Sequence, residues 1–143
     1  MQVKLASSDA EIAAICPVML ELRPQYDSDS LNSRIKLQQA QGYQLAYVEQ
    51  DGVVLSVAGF VIGEKLAWTR HMYVDDLVTA EAQRSTGAGK LLMDWLKDYA
   101  RSHGCQQLHL DSGVQRFRAH RFYLREGFDI NSHHFAITRL DAD

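Results

Sequence analysis

The chain has 143 residues, 46% of them hydrophobic, a formal net charge of −3 and a pI near 6.0. That length and apolar content predict one domain over residues 1–143, and the acidic balance argues against a nucleic-acid binder held by bulk charge. Cys16 and Cys105 make neither a CxxC pair nor a disulfide framework, the start of the chain has no apolar leader, and no stretch is apolar for long enough to span a bilayer; a cytoplasmic protein with no membrane partner is expected.

Residues 3–6 read as a short strand. Ser8 to Glu11 matches a capping box, opening a helix that carries Ile12, Ile15, Met19 and Leu22 on one side. Pro17 is expected to kink this helix and Pro24 to end it. Asp29 or Ser30 is the expected cap of a second helix running to about Gln41, with Gly42 as its stop. Residues 43–49 and 53–62 read as strands joined by an Asp51-Gly52 hairpin turn, and Gly63-Glu64-Lys65 reads as a second turn into a long strand over 67–78. Residues 87–103 read as a helix with Leu91, Leu92, Trp95, Leu96 and Tyr99 on one stripe, stopped by Gly104. A strand over 107–111, a helix over 115–126 and strands over 128–130 and 134–140 complete the chain.

The strand at 67–78, the helix at 87–103 and the strand at 107–111 form a βαβ unit, so those two strands should run parallel. The predicted fold class is therefore α/β (α+β): a central, mostly antiparallel mixed sheet with one parallel βαβ unit and helices on both faces.

The chemistry concentrates at Arg84-Ser85-Thr86-Gly87-Ala88-Gly89, where the third long helix begins. Small residues there leave backbone N–H groups uncovered, and the helix dipole adds partial positive charge, which together make an anion socket suited to phosphate oxygens. A nucleotide-hydrolase loop is excluded, because position 84 is arginine and position 91 leucine where GxxxxGK[ST] needs glycine and a hydroxyl. A dinucleotide fingerprint fails at Leu92, where its third glycine belongs. Six histidines show no metal-ligand spacing, and no spaced set of aromatics offers a nucleic-acid stacking surface, so neither a metal nor a nucleic-acid partner is expected.

The segment from Arg84 to Gly89 resembles the R/Q-x-x-G-x-G/A signature of the GNAT superfamily of acetyl-CoA-dependent N-acetyltransferases. It lies between the fourth strand and the third helix, as that family has it. The block running from Ala119 through Phe122, Tyr123 and Gly127 to Phe128 resembles the family's A-x-x-F-Y-x-x-x-G-F segment, and residues 3–9 resemble its opening strand and helix entry. The resemblance covers essentially the whole chain and implies a GNAT-like acyl-CoA N-acyltransferase fold. It also implies an acetyl group moved from acetyl-CoA to a primary amine by direct attack in a ternary complex. The reading from another class is a catalytically silent CoA-binding regulatory or scaffold module.

The resemblance carries functional assignments with it. Arg84, Ser85, Thr86, Gly87, Ala88, Gly89 and Lys90 would hold the pyrophosphate of coenzyme A, and main-chain groups of Leu77 and Val78 would pair with the pantetheine arm. The Val78 amide would polarise the thioester carbonyl. Tyr123 is matched to the tyrosine that protonates the departing thiolate. Asp76 is the first choice to orient or deprotonate the amine and Asp75 the second; alternation along a strand sends neighbouring side chains to opposite faces, so one of the two should meet the substrate. Glu81 and His71 are the reserves. The acidic pair points to a small cationic amine as acceptor, with peptide N-termini, lysine side chains and amino sugars left open by the resemblance, and a homodimer is common for such domains. The chain departs from the family at Arg116, where an asparagine often contacts the cofactor.

Overall fold

The computed structural model describes residues 1–142, which fall into two compact units, residues 1–110 and residues 111–142. The first unit runs β1 (Gln2–Ala6), α1 (Asp9–Leu22), α2 (Ser28–Gln39), β2 (Gln44–Gln50), β3 (Val53–Lys65), β4 (Thr69–Thr79), a 3-10 turn (Glu81–Gln83), α3 (Ala88–Ser102) and β5 (Gln107–Leu110). The five strands form one sheet in sequence order. All pairings are antiparallel except β4 with β5, which are parallel, as the βαβ reading requires.

Alternation along β2 sorts the core into two layers. Tyr43, Leu45 and Tyr47 join Ile12, Ile15 and Met19 of α1 and Leu31 and Ile35 of α2. Ala46 and Val48 are buried on the other face. There α3 presents Ala88, Leu92, Met93, Leu96 and Ala100, and Phe60 of β3 meets Trp95 and Tyr99 edge-on, with centroids 6.2 and 5.5 Å apart. Leu92, Met93 and Leu96 are fully buried, and each contributes roughly 1.5–3 kcal/mol of transfer free energy.

Several boundaries differ from the sequence reading. The cap of α2 is Asp27, not Asp29 or Ser30. Its carboxylate accepts from the Ser30 N–H at 2.8 Å while the Ser30 hydroxyl accepts from the Asp27 N–H at 3.0 Å, a reciprocal box in which serine stands in for glutamate. Gly63-Glu64-Lys65 is strand, paired with His71, Arg70 and Thr69. The turn falls at residues 66–68, where the Lys65 ammonium sits 4.1 Å from the Trp68 ring centroid.

The Ser8 capping box forms as expected, and Glu11 does more than cap. One of its oxygens accepts from the N–H groups of Ser7 and Ser8, and the other from the Tyr47 hydroxyl at 2.7 Å. The Tyr47 bond, followed by the two amides, lowers the Glu11 pKa to about 2 from an ordinary value of 4.5. A depressed carboxylate stabilises the fold above its unfolded pKa and loses that contribution as pH falls through the folded one. The stability lead of the native chain over Glu11→Gln should therefore be complete above pH 4.5 and fade toward pH 2. Urea melts at several pH values check it; a constant difference would refute it.

The second unit contains α4 (Phe117–Arg125), with Tyr123 meeting Phe122 and Phe128 edge-on. Residues 128–130 and 134–140, expected as strands, form none. Their alternating apolar pattern meets the local requirement for a strand, but a strand also needs a neighbouring edge to hydrogen-bond, and no ladder joins these residues. Phe135, Ile137 and Leu140 stay at least 79% exposed.

Candidate active site

Along β4 the parallel pairing with β5 covers residues 71–74 and stops where β5 ends at Leu110. Residues 76–79 keep their antiparallel partner β3 on one side only. No described strand pairs with their other side, the arrangement that strand-like addition by an extended ligand requires.

The pairing also contains a bulge. Gly59 of β3 lies opposite Asp76, but the next residue, Phe60, lies opposite Val74, leaving Asp75 as the extra residue. A bulge interrupts alternation. Val74, on the near side of it, is buried across from Phe60 on the α3 face. Asp75 and Asp76 line the same cleft on the face of α1 and α2. The expectation that neighbouring carboxylates would part to opposite faces is thereby corrected. An interior strand glycine such as Gly59 is the sequence signal that could have revealed the bulge.

The two carboxylates have different surroundings. Asp76 is largely enclosed and fully engaged: Arg23 Nε donates to its Oδ1 at 2.9 Å, Arg23 Nη2 stands 2.8 Å from the same oxygen, and the Tyr43 hydroxyl donates to Oδ2 at 2.6 Å. Burial, followed by the Asp76 charge, pushes the Tyr43 phenol far above its ordinary pKa and keeps it a donor. Asp75 reaches solvent, and its carboxylate makes no hydrogen bond or ion pair among the described residues; its carbonyl accepts from Arg23 at 3.0 Å. Partial desolvation, then the neighbouring Asp76 charge, raises the Asp75 pKa, with Arg23 opposing.

Tyr43 reaches Asp76 because Gly59 has no side chain. A Cβ there would collide with the Tyr43 hydroxyl and ring. Sequence reasoning missed Arg23 and Tyr43 because their partners lie 53 and 33 residues away. The cleft measures about 350 Å³ and is closed by Met19, Tyr26 and the α2 face.

Register also orients the main chain. The Ala80 N–H donates to the Leu55 carbonyl at 2.9 Å, and hydrogen-bonded pairs recur every second residue, so Val78 directs its N–H and C=O at Val57 of β3. The Val78 carbonyl accepts from the Ser56 hydroxyl at 3.0 Å as well. The expected outward amide at Val78 is thus corrected: Leu77 and Thr79 direct their backbone groups to the open edge.

Past the 3-10 turn, Ser85 takes φ +67° and Gly87 φ +86°, left-handed conformations that turn the chain sharply into α3. Gly87 is the cap of that helix and supplies no side-chain acceptor. The Ala88 N–H faces the Thr86 hydroxyl at a long 3.4 Å, while that hydroxyl donates to the Gln83 carbonyl at 2.8 Å. With no cap from Gly87, the start of α3 presents the positive end of the helix. Lys90 stands 3.5 Å from Asp94 on the helix surface.

The reserves sit elsewhere. His71 is buried, with Nδ1 3.0 Å from the Thr69 carbonyl and its ring against Trp68. The backbone N–H of Glu81 donates to Glu21 at 2.9 Å. Neither lines the cleft. In the second unit, burial raises the Tyr123 pKa and Arg116 pulls it back.

The profile of the acetyltransferase (GNAT) family matches residues 11–128. The chain belongs to that family. It is similar to an uncharacterized N-acetyltransferase, YhdJ, of Bacillus subtilis, with 34% identity over 94% of this chain and 96% of the relative. It also resembles an aminoalkylphosphonate N-acetyltransferase of Salmonella typhimurium, 35% identical over 46% of this chain and 42% of that one. Among solved structures, the aminoglycoside N-acetyltransferase AAC(6')-Iy in complex with CoA superposes with a TM-score of 0.81 at 14% identity, covering 97% of this chain and 95% of that one. This GNAT acetyltransferase has the mixed α/β fold of its family, and none of its described helices is long and apolar enough to cross a membrane.

Proposed function

We propose that the protein transfers an acetyl group from acetyl-CoA to a primary amine by direct attack. The observation that carries this reading is the half-paired strand, residues 76–79, leading through a left-handed turn into the head of α3, to which Gly87 supplies no side-chain cap. An extended pantetheine arm would pair with the open edge, and its pyrophosphate would meet the amides of residues 84–90. Register supports the Leu77 N–H, rather than that of Val78, as the donor to the thioester oxygen.

In the proposed step the neutral amine nitrogen attacks the thioester carbon, and the oxyanion formed is stabilised by the strand amide. Collapse breaks the C–S bond, and the thiolate leaves with a proton, the donor being the role that the family resemblance assigns to Tyr123. The proton lost by nitrogen goes to a carboxylate, directly or through water. An alkylammonium has a pKa near 10.4 and cannot attack until it loses that proton. Asp75 fits the task better than Asp76, because both Asp76 oxygens are already engaged. The cleft beside them would hold the acceptor.

Free-thiol release, followed with acetyl-CoA and a panel of amines, tests the reading. Amine-dependent release supports a transferase, whereas CoA binding without release from any amine supports a silent CoA-binding module. Tyr123→Phe should lower kcat roughly 10²-fold and leave CoA affinity within about twofold. An unchanged kcat would remove Tyr123 from the step.

A further inference from the structure

The acceptor cleft contains four charged side chains: Arg23, Arg34, Asp75 and Asp76. Arg23 and Asp76 neutralise each other at 2.8 Å. Two charges of opposite sign remain. Asp75 has no hydrogen-bonding partner for its carboxylate, and Arg34 makes no ion pair or hydrogen bond among the described residues. They come from separate walls, Asp75 from the bulge of β4 and Arg34 from α2. Leu31, Arg34, Ile35 and Gln38 follow helical spacing, so Arg34 belongs to the α2 face that closes the cleft and is not a stray surface charge.

We propose that Arg34 is an acceptor-selecting residue, and that the amine acetylated here carries an anionic group, a carboxylate or phosphonate, that its guanidinium binds while the amine lies at Asp75. The proposal rests on the transferase reading and narrows its substrate. One carboxylate and one guanidinium without partners complement a molecule with one charge of each sign. A diamine would satisfy Asp75 but bring its second ammonium toward Arg34, a like-charge approach that costs affinity. A guanidinium also matches the two oxygens of a carboxylate or phosphonate through paired donors, which an ammonium cannot do. The cleft volume of about 350 Å³ suits a small molecule of this kind. The acceptor, left open by the resemblance, is narrowed by this proposal to one of zwitterionic character.

Four amines of similar length separate the cases: butylamine, diaminobutane, aminobutyrate and aminopropylphosphonate. With saturating acetyl-CoA, kcat/KM should be higher for the two anion-bearing amines than for the other two. Comparing those two with each other tells which oxyacid is preferred. Arg34→Gln should lower kcat/KM for the anion-bearing pair about tenfold, mainly through KM, and lower that for butylamine by a much smaller factor. Arg34→Lys should recover part of the loss. Equal use of butylamine and aminobutyrate by the native protein, or an equal loss for both in Arg34→Gln, would overturn the proposal. If no amine releases thiol, the transferase reading fails instead. Calorimetry of the same four amines then decides the charge preference alone, with binding of the anion-bearing pair lost in Arg34→Gln as the supporting result and binding insensitive to Arg34 as the refuting one.

Discussion

Asp75→Asn should lower turnover by about 10²–10³-fold, with CoA affinity and the melting temperature close to native. That range is typical for a positioned proton acceptor. The isosteric amide has no charge to receive the amine proton, and no hydrogen bond of the fold is lost with it. Asp76→Asn should behave in the opposite way. It leaves Arg23 partly enclosed without a counter-charge and weakens the Tyr43 bond, at a cost of about 2 kcal/mol in stability. Because desolvation and then the Asp76 charge raise the Asp75 pKa, the base form accumulates at higher pH than it would for an unperturbed aspartate. The acid limb of the rate should therefore be displaced upward in pH and vanish in Asp75→Asn. Denaturant melts and initial rates on the two variants separate the roles. Similar kinetic losses in both, with similar melts, would reject the division of labour.

Gly59→Ala should cost about 2–3 kcal/mol, several degrees of melting temperature, although it adds one methyl group. The new Cβ occupies the space of the Tyr43 ring and hydroxyl, so the phenol must leave the position from which it donates to Asp76. Neither residue can yield easily, since Tyr43 is only 6% exposed and Gly59 lies in the middle of β3. Turnover should fall as well, because Tyr43 and Asp76 form part of the cleft wall. Combining Gly59→Ala with Tyr43→Phe should relieve little, since the ring itself obstructs the methyl. Tyr43→Ala should relieve more. A Gly59→Ala protein with native stability and rate would show that the close approach is unimportant.

What the sequence disclosed was mostly local. The Ser8 box, the Asp51-Gly52 turn with φ +53° and +77°, the Gly87 entry to α3 and the apolar stripe of that helix are each encoded within a few residues. The parallel β4–β5 pair followed from the handed βαβ connection. The chemistry of the cleft was less accessible, because it depends on how strands align. Asp75 and Asp76 share a face only because Gly59 and Phe60 shift the register between them. Which of Leu77 and Val78 turns its amide outward depends on the same register, as fixed by the Ala80–Leu55 bond. At the far end of the chain, residues 134–140 had the alternation of a strand but no edge to complete it.

Arg23 does two jobs with one side chain: it follows the last turn of α1 and clamps the β4 carboxylate. The wall made by α1 and β4 is in this way bolted to the scaffold, and altering it endangers folding. Arg34 and Gln38 stand on the opposite wall, exposed and outside the fold's ion pairs. Retargeting this enzyme to a different amine should thus proceed by rewriting the exposed positions of α2 that line the cleft, where new chemistry can be tried at small structural risk.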